Sequence, residues 1–239
     1  MQRDKIMNTG NELQPAALKA LKRKIAIRIT LLLLLLGILI LLPAGTFHYW
    51  QAYVYFAVIF GPLIFVVHYF YKKDPKFLER RMRIKEQETE QKKIVFSTAF
   101  FYVVGFILPG FDHRFGWSDV PAGIVLTADM LVLLSYIFIV YVFKVNRFAS
   151  RVIEVEKDQT VISTGPYSVI RHPMYLGTIV MFLSTPVALG SYWAVIPFTV
   201  LPVSLAFRIL NEEKVLSEQL PGYKEYCTKI RYRLIPFVW

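Results

Sequence analysis

The sequence predicts an all-α, polytopic integral membrane protein with about six transmembrane helices. Three observations carry that prediction. The chain has 239 residues, 55% of them hydrophobic, and the apolar residues fall in long unbroken runs rather than amphipathic stripes. Runs of about 18 or more apolar residues are long enough to cross a bilayer. The formal net charge is +11, and the basic residues cluster between the runs, as membrane topology requires, rather than on a nucleic-acid-binding face. No Gly-rich fingerprint or P-loop of a soluble α/β domain occurs.

The first predicted span is Ile25 to Leu42, closed by Pro43 and Gly45. It follows Lys22, Arg23 and Lys24 but lies far from Met1 and lacks a small-x-small cleavage site, so it reads as a retained helix and not a signal peptide. The second runs from Trp50 to Tyr71, and the charged loop KKDPKFLERRMRIKEQETEQKK separates it from the third, Ile94 to Pro109. The fourth is Pro121 to Phe143, followed by the polar stretch KVNRFASRVIEVEKDQTVIST. The fifth is Met174 to Leu189 and the sixth Trp193 to Leu210. The short turn between these two predicts an antiparallel pair.

Lysine and arginine are dense before the first span, after the second, after the fourth and after the sixth. The other loops, PAGTFHY, GFDHRFGWSDV and GSY, contain only Arg114. The asymmetry predicts that both termini are cytosolic. It also puts GPYSVIRHPMY, Gly165 to Tyr175, at the cytosolic entrance of span five, and RILNEE at the cytosolic exit of span six. The two polar segments are therefore expected to converge.

Each polar residue there also has a structural explanation. Pro173 suits a first helical turn, where its missing N–H costs nothing. His172 can cap that helix, and Arg171 can snorkel to lipid phosphates. Arg208 and Glu212 share a helix face and can form an ion pair. Glu213 is expected on another side, in solvent. Tyr167 and Tyr175 can be interfacial aromatics. Taken together, though, acid, base, imidazole and phenol gather around one helix pair. Such a set suits a ligand that is polar, cationic and aromatic, and S-adenosylmethionine is one. The lone Cys227 and the four dispersed histidines give no metal-ligand spacing, so no metal site is expected.

The string GPYSVIRHPMY, a helical hairpin and then RILNEEKVL resembles the isoprenylcysteine carboxyl methyltransferases and the wider integral-membrane phospholipid and thiol methyltransferases, which share R-H-P-x-Y, an apolar stretch and E-E. The similarity covers about Asn146 to Phe237. It implies a division into a membrane region, 1–143, and a methyltransferase core, 144–239, with a cytosolic pocket for S-adenosyl-L-methionine. It further implies that Tyr167, His172, Pro173, Met174, Tyr175 and Glu212 line the cofactor site, joined by Gln159, Thr160, Val161 and Ile162, with Glu154 a further contact. Arg208 corresponds to the arginine between cofactor and acceptor. The tail departs from the family pattern, LPGY standing where F-G-x-x-Y is usual.

The implied reaction is direct methyl transfer to a lipophilic acceptor reached through the bilayer. A carboxylate acceptor, as in a prenylcysteine, is already ionised near neutral pH and needs no base, whereas an amine or thiol must lose a proton that arginine cannot take. Alternatives are a phospholipid-amine or small-thiol acceptor, a membrane reductase (sterol reductases carry a similar but longer-framed hairpin) and a non-catalytic scaffold.

Overall fold

The computed structural model describes the backbone of residues 14–82, 89–149, 153, 155 and 158–239, and their side chains outside 89–97. Glu154 lies outside the described residues. Among these, all regular structure is helical: α1 (Pro15–Ala44), α2 (Trp50–Lys73), α3 (Pro75–Arg81), α4 (Thr89–Phe115), α5 (Ala122–Val145), a 3-10 turn (Gly165–Ser168), α6 (Pro173–Ala188), α7 (Val195–Phe198), α8 (Val200–Gln219) and α9 (Tyr223–Lys229).

By length and composition, four segments can cross a membrane: Pro15–Ala44, Trp50–Lys73, Ala122–Val145 and Val195–Gln219. The last contains the break between α7 and α8. The fifth predicted span corresponds to the shorter apolar helix Pro173–Ala188, and the third lies within α4. The fold is thus the polytopic all-α architecture expected. Helices overrun the apolar runs: α1 begins at Pro15, and α8 continues to Gln219, well beyond Leu210.

Local chemistry explains the boundaries. Pro15 takes an early position of α1, and Gly45, at φ +66°, ends it in the left-handed conformation while its N–H donates to the Leu41 and Leu42 carbonyls. Asp74 caps α3 by accepting from the Phe77 N–H at 3.0 Å, with Pro75 in the first turn.

One main packing pair joins helices distant in sequence and the other joins consecutive ones. Helix α1 lies chiefly along α4, and α6 chiefly along α5. Small residues permit both approaches. A Cβ on Gly110 would fall 2.3 Å from the Ile40 carbonyl oxygen, and one on Gly177 would fall 2.8 Å from Ile139 Cγ1. The expected α6–α8 contact exists but is the smaller one. It is built around Tyr175 of α6 and around Leu201, Leu205 and Ile209 along the first half of α8. The broken start of the last span tips α7 onto α4, where Phe198 packs against Phe106. Outward, α1 exposes Leu31 to Leu35, Ile38 and Leu42, an apolar surface that a bilayer satisfies.

Candidate active site

The start of α6 and the second half of α8 meet, as their sequences predict. His172 precedes Pro173 at the helix start but offers no side-chain cap. Its ring turns instead to Glu213, Nε2 lying 3.3 Å from Oε1. Glu213 is no solvated residue. It is 9% exposed, and it also pairs with Arg171, whose Nε is 2.8 Å from Oε1, and with Arg233, whose Nε donates to Oε2 at 2.8 Å. Arg171 is likewise buried and does not reach for lipid. The expectation for Glu213 is therefore corrected, and the snorkelling alternative for Arg171 falls with it, for one physical reason. The tail folds back under the α6 entrance, the Arg171 and His172 N–H groups donating to the Tyr232 and Arg233 carbonyls. That fold brings Arg233 to the carboxylate beside Arg171 and His172, and Arg171, His172 and Glu213 are all buried there.

One residue earlier on α8, Glu212 points to the other side of the junction. The Tyr175 hydroxyl donates to its Oε2, and Arg208 Nε donates to the same hydroxyl at 3.0 Å. Tyr175 thus stands between Arg208 and Glu212. Its donor and acceptor capacities are both directed, which fixes Glu212 as an acceptor and holds the guanidinium on one side.

These groups form one wall of a cleft with about 840 Å³ of non-protein space, part of it open to solvent. Of the residues singled out from the sequence, Gln159, Thr160, Val161, Ile162, Tyr167, His172, Met174, Tyr175, Arg208 and Glu212 line it. Pro173 starts α6 immediately behind the lining.

The cleft also takes residues that sequence reasoning did not select. Asn146 Nδ2 donates to the Tyr167 hydroxyl at 3.0 Å, and the Tyr226 hydroxyl donates to the Tyr167 carbonyl at 2.7 Å. Tyr223 and Tyr226, three apart on α9, close the far side with Leu216 and Leu220. Gly222, at φ +82°, makes the turn that swings α9 over the opening. The Y-x-x-Y spacing on a short helix was the available signal for this pair.

Burial pushes Tyr167 up to about 12, and it raises Tyr223 and Tyr226 further above the ordinary phenol value. All three remain neutral near pH 7 and offer hydrogen bonds, not an anionic base. The Tyr223 hydroxyl is buried and meets no oxygen or nitrogen partner among the described residues. Its polar neighbour is the Cys227 thiol, a weak hydrogen-bonding group.

No group of three or more metal-ligating side chains occurs among the described residues. The cleft presents hydrogen-bonding groups, a carboxylate and a guanidinium joined through Tyr175, and aromatic rings.

Comparison with known proteins bears on what such a site does. The chain is 33% identical over 81 residues to the Delta(14)-sterol reductase TM7SF2 of Mus musculus, a match covering 32% of this chain and 19% of the reductase. This chain thus matches about a fifth of that relative's length. The model of the phospholipid methyltransferase family matches residues 124–221, from the start of α5 through α8. This stretch contains the R-H-P-x-Y and E-E segments and most of the cleft lining. It matches the phospholipid methyltransferase family, within the integral-membrane methyltransferase superfamily that includes the isoprenylcysteine carboxyl methyltransferases.

Proposed function

We propose that the protein transfers a methyl group from S-adenosylmethionine to a lipophilic acceptor at the cytosolic face of the membrane, with a carboxylate of prenylcysteine type as the acceptor. The observation that carries the reading is the Arg208–Tyr175–Glu212 junction in the wall of a cleft where two helices leave the apolar bundle. The family match of residues 124–221 supports a membrane methyltransferase.

The residues present fit the cofactor. Tyr223, whose buried hydroxyl lacks an oxygen or nitrogen partner among the described residues, lines a cleft that also presents a carboxylate at Glu212 and aromatic rings at Tyr167 and Tyr226. Glu212 suits hydroxyl or ammonium groups, and the phenol faces suit a cation. Glu154, Gln159, Thr160, Val161 and Ile162, from the segment before the 3-10 turn, are assigned to the same ligand. His172 and Met174 complete its seat at the start of α6. When bound, S-adenosylmethionine supplies an electrophilic sulfonium methyl.

The chain's own task is alignment and exclusion of water. Arg208 lies one turn nearer the apolar part of α8 than Glu212. It orients the acceptor carboxylate by charge-assisted hydrogen bonds, while Glu212 holds the polar half of the cofactor. Tyr175 fixes the spacing between them. No proton needs to leave a carboxylate nucleophile near neutral pH. This agrees with a wall in which the guanidinium and the phenols are poor bases.

The test uses the purified protein in detergent. Titration with S-adenosylmethionine is expected to give saturable binding, and titration with NADPH none. The reverse result would favour a reductase, the activity named for the sterol-reductase relative. Arg208→Lys keeps the charge but loses the planar fork. It is expected to bind S-adenosylmethionine normally and to lose at least a hundredfold in turnover on a prenylcysteine acceptor. Near-normal turnover would remove Arg208 from the chemistry. A phospholipid amine or small thiol methylated in preference to the carboxylate would redirect the acceptor assignment.

A further inference from the structure

The C-terminal segment carries a feature that methyl transfer does not use. Phe237 is 88% exposed and Val238 76% exposed, and Ile235 and Val169 are exposed beside them. Phe237 is the one non-glycine residue with positive φ among the described residues, at +65°. A bulky side chain rarely takes that conformation. The turn is nevertheless tightly closed. The Trp239 carbonyl accepts from the Arg233, Leu234 and Ile235 N–H groups, and the Trp239 N–H donates to the Ile235 carbonyl. The guanidinium of Arg233 sits 5.4 Å from the centre of the Trp239 ring. A strained conformation is thus maintained in order to turn an apolar tip outward.

The position of that tip says what it meets. Residues Tyr232 and Arg233 are hydrogen-bonded to Arg171 and His172, immediately before the point where α6 enters the apolar bundle. The tip shares a groove with Ser168, Val169, Lys229, Arg231 and Tyr232. Lys229 and Arg231 are exposed. Apolar side chains flanked by basic ones, at the level where a helix leaves the bilayer, match the chemistry of an interface with anionic headgroups.

We infer that the segment from Ile235 to Val238, with Val169, inserts into the leaflet on the cleft side of the protein, and that Lys229 and Arg231 engage the phosphates of anionic lipid headgroups above it. The bilayer then holds the segment that bonds to Arg171 and His172, and so holds the α6 entrance in place. This inference is independent of the acceptor and of methyl transfer itself.

Spin-label depth measurement tests it. Single cysteines replace Phe237 or Val238 in a Cys227→Ser chain, reconstituted in nanodiscs of three parts phosphatidylcholine to one part phosphatidylglycerol. A lipid-facing control is placed at Phe65 on α2, which is 70% exposed, and a water-facing control at Lys224. The labels at 237 and 238 are expected to collide more with oxygen than with a water-soluble nickel reagent, as at 65, and opposite to 224. Adding Lys229→Glu and Arg231→Glu is expected to shift both labels measurably towards the nickel reagent. Labels that behave like 224 would overturn the inference. So would labels shielded from both reagents with spin–spin broadening, which would assign the patch to a second copy of the chain.

Discussion

The two ends of the helix bundle both bury polar networks, and they differ in how completely those networks close. At the end away from the cleft, Asp112 is 1% exposed. It accepts from the Ser118 N–H and hydroxyl at 2.7 Å each, and from the Ser191 hydroxyl. The Tyr49 hydroxyl donates to the Leu189 and Pro109 carbonyls, and its ring stacks on His113. Each of these groups is consumed by loops that need fixing. At the cleft end, Glu213 is closed in the same way, by three cationic or imidazole partners. Its neighbour Glu212 lines a cavity, as does Tyr223, whose buried hydroxyl has no oxygen or nitrogen partner among the described residues. Polar burial alone therefore does not mark a site. A satisfied network next to a partly open one does, the first acting as scaffold for the second.

The largest effect expected from that contrast is at Glu213. Glu213→Leu leaves Arg171 buried without its carboxylate, a loss of about 3–5 kcal/mol, read as a lowered unfolding midpoint in detergent. Glu212→Gln should leave stability nearly intact. Instead it should weaken S-adenosylmethionine binding by about ten- to a hundredfold, since a hydrogen bond to a charged group contributes roughly 1.5–3 kcal/mol. Equal stability losses in the two variants would erase the distinction between scaffold and site. Asp112→Ala, at the far end, should destabilise by about 1–3 kcal/mol through the donors it abandons and leave cofactor affinity unchanged in the same titration. Tyr223→Phe loses no oxygen or nitrogen partner, so thermal stability should hold within about 0.5 kcal/mol, while cofactor affinity falls severalfold. The smallest effect concerns Cys227. Burial raises its thiol pKa, so less thiolate is present near neutral pH and maleimide should react more slowly than with a free thiol. The rate should climb as pH is raised.

The polytopic all-α architecture and the meeting of R-H-P-M-Y with N-E-E were legible in the sequence, because apolar run length and short turns act locally. What was not legible depended on distant chain. The choice of α5 as the main partner of α6 rests on Gly177 facing Ile139, which no run length reveals. The assignment of Glu213 to solvent failed because consecutive helical residues do diverge, as assumed, but the side opposite Glu212 is covered by the returning tail. Arg233 and Tyr232 sit about twenty residues further on, and nothing in their spacing points back to Arg171. Among cleft residues, the run from Gln159 to Ile162 and the α6 entrance came from the family resemblance. Tyr223 and Tyr226 were missed because the LPGY turn breaks the family spacing just where α9 begins.

The brevity of α6 has a consequence for the lipid around it. Its 16 residues rise about 24 Å at 1.5 Å each, whereas a bilayer's hydrocarbon layer is about 30 Å thick. Were α6 to cross that layer, the membrane would dimple around it or the polar residues preceding Pro173 would be drawn inward. Either adjustment shortens the distance between headgroups and the cleft. An amphiphile diffusing in that leaflet would then have its polar end lowered towards the level of Tyr175 and Arg208, so that the deformation of the solvent itself would shorten the path from headgroup to cleft.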